Sequence, residues 1–255
     1  MSRWISLLAL VAANAYANGT LTDDIRIHSD ILGYDLQYRV YLPEGYRELD
    51  GLDVLYVTDG QSYVSQGKLP RILDKMIDGG EIRPVVTVFV DPRDPDNLHI
   101  NRRNQQYLCS DDYFRFFVEE LIPAVETAYP VSTDRAGRTI MGMSFGGTNA
   151  ACFALRGHEV FSGIAMLSPA NHPLPQLLPA FEKMPTLPVR MFLSTGRPDD
   201  NTRANREFRD LLQAKNYELK YVEISAGHNW DNWRRLLDDV LLYYYAGEPG
   251  DNTSD

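Results

Sequence analysis

Gly142-Met143-Ser144-Phe145-Gly146 places a serine between two glycines, each two positions away. That spacing suits a hydroxyl carried on a sharp turn from a strand into a helix, where neighbouring side chains would clash. The turn exposes the Ser144 hydroxyl at a helix N-terminus, where free N–H groups and the helix dipole favour negative charge. The flanks agree. Residues 139–143 read as a strand, and Thr148, Ala150 and Ala151 supply small residues for a helix. The chemistry this implies is nucleophilic attack by an activated hydroxyl on an acyl carbon.

A serine hydroxyl needs a base, and histidine is the side chain that titrates near neutrality. His228 lies in Ala226-Gly227-His228-Asn229-Trp230, directly after the last expected strand, which places it at the same sheet edge as Ser144. His172, in a proline-rich loop, is the second choice; His28, His99 and His158 read as loop or surface residues. An acid should lie between serine and histidine in the chain. Gly196-Arg197-Pro198-Asp199-Asp200 follows a strand at the right place. Either aspartate could orient the imidazole, the other capping the next helix. Asp199 is preferred, with Asp200 the alternative. The developing oxyanion needs two backbone N–H groups. Phe145, after the nucleophile, should supply one, and Gln61, in Thr58-Asp59-Gly60-Gln61, the other.

These residues need a scaffold that brings strand ends together. Residues 25–42 alternate in polarity around Gly33, as a β-hairpin does. Short apolar runs at 52–58, 85–90, 139–143, 163–167, 189–193 and 219–224 read as strands. Helices are expected at 69–77, 112–128, 147–155, 205–214 and 230–244. Phe114, Phe117, Leu121 and Val125 form one apolar stripe on the second of these. Residues 91–110 read as a polar loop. Alternating strands and helices imply an α/β domain with a mostly parallel, doubly wound sheet, its ligand site at the carboxyl ends of the strands. The segment between Ser168 and Pro188 is too short and proline-rich for a large helical lid.

The chain resembles the esterase family that includes feruloyl and acetylxylan esterases, S-formylglutathione hydrolases, mycolyltransferases and enterobactin esterases. The resemblance spans residues 31–245. It is carried by Val57-Thr58-Asp59-Gly60-Gln61, Gly142-Met143-Ser144-Phe145-Gly146-Gly147, Gly196-Arg197-Pro198-Asp199 and Gly227-His228-Asn229-Trp230 with Trp233-Arg234. Asn229 stands where the family has Asp. The stretch from Tyr107-Leu108-Cys109-Ser110 through Glu119-Glu120-Leu121-Ile122-Pro123, and Arg203-Ala204-Asn205, are most similar to the enterobactin-esterase branch. The resemblance implies an α/β-hydrolase fold, an ester hydrolase with a Ser-His-Asp triad, and Asp199 as the acid. The Arg103 to Tyr107 stretch resembles the family's Arg-x-x-Glu-Leu loop, with Gln106 in place of Glu.

Composition narrows the partners. The 255 residues suit one domain, and 44% apolar residues can fill its core. A net charge of −10 argues against nucleic acid and gives no long-range attraction for an anionic substrate. Arg102 and Arg103 could meet an acidic or phenolate group locally, or could belong to a loop held by acidic neighbours. Trp230, beside His228, is a further candidate for substrate contact. No cysteine or histidine spacing suggests a metal, and the chemistry needs no cofactor. A small-molecule ester is the expected partner, aryl, siderophore-type or carbohydrate-linked, with acyl transfer to an alcohol open to the same triad.

Residues 1–17 read as a secretory signal. Arg3 precedes a short apolar run, and Ala15-Tyr16-Ala17 is a small-x-small cleavage site. Export to the periplasm or the exterior would let Cys109 and Cys152 pair, although spacing alone does not decide it. Residues 18–246 form the expected domain and 247–255 a polar tail.

Overall fold

The computed structural model describes residues 19–247; the expected signal and all but the first residue of the tail lie outside them. The chain opens with β1 (Thr20–Leu21), β2 (Ile25–Ser29) and β3 (Tyr34–Leu42), all antiparallel to their neighbours. Gly33, at φ 72, closes the expected hairpin. Then follow β4 (Asp53–Thr58), β5 (Val85–Asp91), the short pair β6 (Arg93–Asp94) and β7 (Asn97–Asn101), and β8 (Arg138–Met143). The last strands are β9 (Gly163–Leu167), β10 (Arg190–Gly196) and β11 (Glu218–Ile224).

The nine-stranded sheet runs β1-β3-β5-β4-β8-β9-β10-β11, with β2 alongside β3. From β5 to β11 every pairing is parallel. A parallel sheet covered on both faces needs apolar residues on both, and β4 supplies them by alternation. Val54 and Tyr56 enter one core with Val88, Ile140 and Phe153. Leu55 and Val57 enter the other with Met141, Phe192 and Leu237.

The helix expected at 112–128 is a run of Asp111–Arg115, a π turn at Phe116–Leu121, and Ile122–Ala128. Residues 91–110 are more ordered than a polar loop: they hold the β6–β7 hairpin and a helical turn, Arg103–Gln106. The alternation Asn97-Leu98-His99-Ile100-Asn101 carries that strand, even though all five residues are exposed. Between Ser168 and Pro188 the only helix is Leu177–Lys183. It buries Leu177 and Phe181, the latter against Phe208, and so belongs to the body of the domain. Cys109 and Cys152 form a disulfide, with Cα atoms 5.2 Å apart. Among the described residues no helix is long and apolar enough to cross a membrane.

Candidate active site

Ser144 follows β8 directly and starts the helix Phe145–Gly157. Its backbone, at φ 54 and ψ −121, lies outside the regions a side chain ordinarily tolerates. The surrounding structure holds it there: the Ser144 N–H donates to Leu167 O at 2.8 Å, and its carbonyl accepts from Ala170 N at 3.1 Å. The glycines are required by contact. A Cβ on Gly142 would stand 2.2 Å from the Gly146 carbonyl carbon, and one on Gly146 would stand 2.7 Å from Thr58 Oγ1.

His228 follows β11 and turns back over the sheet edge. Its Nε2 lies 2.9 Å from Ser144 Oγ, and its Nδ1 lies 2.6 Å from Asp200 Oδ1. The imidazole is fixed edge-on to Trp233, with ring centroids 5.0 Å apart. The carboxylate in this line is thus Asp200, whereas the sequence favoured Asp199. The reason is local. Asp199 takes the left-handed conformation, φ 60, and its side chain is exposed. Only its backbone carbonyl serves the site, accepting the His228 N–H at 2.9 Å. The Asp200 carboxylate is fully buried.

Asp200 is also held by donors from the turn after β9, from the end of β10 and its following turn, and from the short helix Trp230–Trp233. Ser168 Oγ donates at 2.6 Å, Asn232 Nδ2 at 3.0 Å and Asn201 N at 2.7 Å, and the Gly196 N–H donates too. Burial pushes this carboxyl up, but His228, Ser168 and the two backbone N–H groups outweigh it and bring it down to about 2. Asp200 is therefore an anion across the ordinary pH range. Ser168 and Asn232 are functional candidates the sequence did not single out. Ser168 directly follows β9 with φ 45, another strand-end turn, and Asn232 lies four residues past His228.

Phe145 and Gln61 each lie in the first turn of a helix, where backbone N–H groups have no intrahelical acceptor. Asp59 makes the second turn possible, leaving β4 at φ 57.

The two candidate substrate arginines are both committed to carboxylates. Arg102 Nη2 lies 2.7 Å from Asp94 Oδ2, and its guanidinium stacks 4.4 Å from the Tyr34 ring centroid. Arg103 Nε lies 2.8 and 2.9 Å from the two Asp59 oxygens. Asp59 is buried; desolvation raises it to about 6 even though Arg103 pulls it down. Gln106, in the family's Glu position, is buried and donates to Tyr34 Oη at 3.2 Å. Trp230 is half-buried, edge-on to Tyr63 at 5.2 Å and to Trp233 at 5.5 Å. The Phe145 ring lies beside His172, with ring centroids 5.8 Å apart. Among the described residues no group of three or more His, Cys, Asp or Glu is placed to hold a metal ion.

The family is decided by a sequence model, described as "Putative esterase", that matches residues 29–244. The chain belongs to this esterase family. It is a carboxylic ester hydrolase of the α/β-hydrolase fold. Among curated relatives, the "Uncharacterized protein YjcH" of Bacillus subtilis is 26% identical over 234 residues, which is 88% of this chain and 97% of that protein. An endo-1,4-beta-xylanase/feruloyl esterase of Xylanibacter ruminicola is 25% identical over 212 residues, covering 79% of this chain but 28% of the relative. A ferulic acid esterase structure superposes with a TM-score of 0.76 at 20% identity, covering 89% of this chain and 97% of the other. The enterobactin esterase of Shigella flexneri, solved with enterobactin, gives 0.79 at 20% identity, covering 87% of this chain and 58% of that one. At these identities the structural likeness speaks for the fold.

Proposed function

We propose that this esterase is an exported serine hydrolase that cleaves a bulky aryl ester through an acyl-enzyme. Ser144 is the nucleophile, His228 the general base and Asp200 the orienting acid. The observation that carries the reading is the hydrogen-bonded line from Ser144 Oγ through His228 to Asp200, at 2.9 and 2.6 Å. In this reading His228 takes the hydroxyl proton as Ser144 Oγ attacks the ester carbon. The buried Asp200 anion stabilises the imidazolium that results. The Phe145 and Gln61 N–H groups receive the oxyanion. His228 then gives its proton to the leaving alcohol. It next takes one from water, and the hydroxide equivalent releases the acid and frees Ser144.

Aromatic side chains next to the catalytic residues support an aryl substrate: Phe145, with His172 5.8 Å away, and the half-buried Trp230 two residues past His228. The charge favours a neutral one. Arg102 and Arg103 are paired with aspartates in a chain of net charge −10. A carbohydrate-linked feruloyl ester fits that balance better than a highly anionic ferric siderophore. The disulfide supports export, since such bonds persist in oxidising compartments.

The test is Ser144→Ala. Hydrolysis of p-nitrophenyl and feruloyl esters should fall by on the order of 10⁴ to 10⁶, and fluorophosphonate labelling should vanish. Near-full activity in this variant would overturn the assignment. Comparing feruloyl sugars, acetylxylan and catecholate trilactones would then rank the substrates.

A further inference from the structure

The two N–H groups assigned to the oxyanion hole come from separate chain segments. Gln61 follows β4, and Phe145 follows β8. Their separation sets the size of the hole, so something must fix one segment against the other. Arg103 touches both. Its Nε grips the Asp59 carboxylate, two residues before Gln61, and its Nη2 donates to Met143 O at 3.1 Å, two residues before Phe145. The guanidinium carbon also lies 5.3 Å from the Phe145 ring centroid and 5.4 Å from that of Tyr107.

The segment that carries Arg103 is itself anchored at both places. The Tyr107 hydroxyl accepts the Asp59 N–H at 2.8 Å. Cys109 is bonded to Cys152, on the helix that begins just after Ser144. Arg156, on the same helix, donates to Cys109 O. Residues 103–109 therefore bracket the β4 turn and the β8 turn together, and the Arg103 side chain reaches both. A planar guanidinium is suited to this because it presents several donors in one rigid fork, where an ammonium presents a point charge.

From this geometry we infer that Arg103 is a positioning residue for the oxyanion hole, holding the Gln61 and Phe145 N–H groups in register through Asp59 and Met143. It has no substrate contact in this role. The inference rests on the proposed Ser144–His228–Asp200 machinery and deepens it. It also reassigns an arginine that the sequence offered to the substrate.

The test compares Arg103→Gln, Arg103→Lys and Asp59→Asn with wild type. Each is assayed for kcat and KM on a neutral p-nitrophenyl ester and for inhibition by an aryl trifluoromethyl ketone. That ketone forms a hemiketal oxyanion on the serine, so its affinity reports on the hole. Arg103→Gln should lower kcat by on the order of 10 to 10², leave KM within about threefold, and weaken the ketone by the same factor as kcat/KM. Lysine can pair with Asp59 but lacks the fork, so it should not restore kcat. The double variant Arg103→Gln/Asp59→Asn should be no worse than its worse parent, because the pair acts as one unit.

A fall in kcat with unchanged ketone affinity would overturn the inference, as would full activity in Arg103→Lys. If Arg103→Gln does not fold, the ketone affinity and kcat of Asp59→Asn and Arg103→Lys decide the matter by the same criteria. Ser144→Ala, measured alongside, separates the two readings: surviving activity there would remove the triad and the inference with it, whereas loss of activity there with full ketone affinity in Arg103→Gln would remove the inference alone.

Discussion

At the scale of single residues, the choice between Asp199 and Asp200 separates two jobs one position apart. Asp199 contributes a carbonyl to the His228 N–H, and its exposed carboxylate has no part in the line to Ser144. Asp200→Asn should therefore lower kcat by on the order of 10⁴, since the amide favours the wrong imidazole tautomer. Asp199→Asn should stay within about threefold, because asparagine also tolerates the left-handed conformation. Steady-state hydrolysis of a p-nitrophenyl ester checks both, and the reverse ranking would return the acid to Asp199. The same residue makes a pH prediction. Asp200 is depressed from the usual carboxylate range to about 2. Its contribution to stability is thus full above about pH 4 and is lost as the pH falls through 2. It amounts to roughly 2 kcal/mol. Urea midpoints measured between pH 5 and 2 should fall further in wild type than in Asp200→Asn.

At the scale of elements, the strand ends carry the candidate site, and most of them were legible. Alternation around Gly33 and the apolar runs before Thr58, Met143 and Leu167 mark strands that the structure contains within a residue or two. The glycines of the serine turn were legible for a steric reason, and the contacts around Gly142 bear that out. What could not be read depends on torsion angles or on distant packing. Periodicity does not say that φ turns positive at Asp199 and leaves the inward position to Asp200. It does not say that Arg103 meets Asp59, 44 residues away in the chain. The polar residues of 91–101 hid a hairpin because β7 is exposed along its whole length and has no buried face to mark it. Gly142→Ala tests how rigid the serine turn is. Its Cβ would meet backbone, which cannot rotate aside as a side chain can, so the expected cost is about 3 kcal/mol or more. A urea midpoint equal to that of wild type would show that the turn relaxes, and would weaken the claim that the fold imposes the Ser144 backbone angles.

At the scale of the whole molecule, the field around the site follows from charges the local geometry does not cancel. The chain carries −10, and the two cations in the segment leading to the site, Arg102 and Arg103, are each paired with a carboxylate. An approaching anionic ester is then repelled at long range, while a neutral one is not. Salt separates the two. Raising the ionic strength from about 0.01 to 0.5 M shrinks the screening length from roughly 30 Å to less than about 8 Å, well inside the dimensions of the domain. For a carboxylated or sulfonated aryl ester, kcat/KM should rise several-fold over that range, with the change in KM. For the uncharged ester of the same acyl group, kcat/KM should stay within about twofold, because its encounter has no Coulombic term. The comparison uses one acyl group and one acyl-enzyme, so any difference must arise before acylation. A fall in kcat/KM with salt for the anionic ester would mean that a local cation outweighs the net charge, and would move the substrate reading from neutral aryl esters to anionic ones.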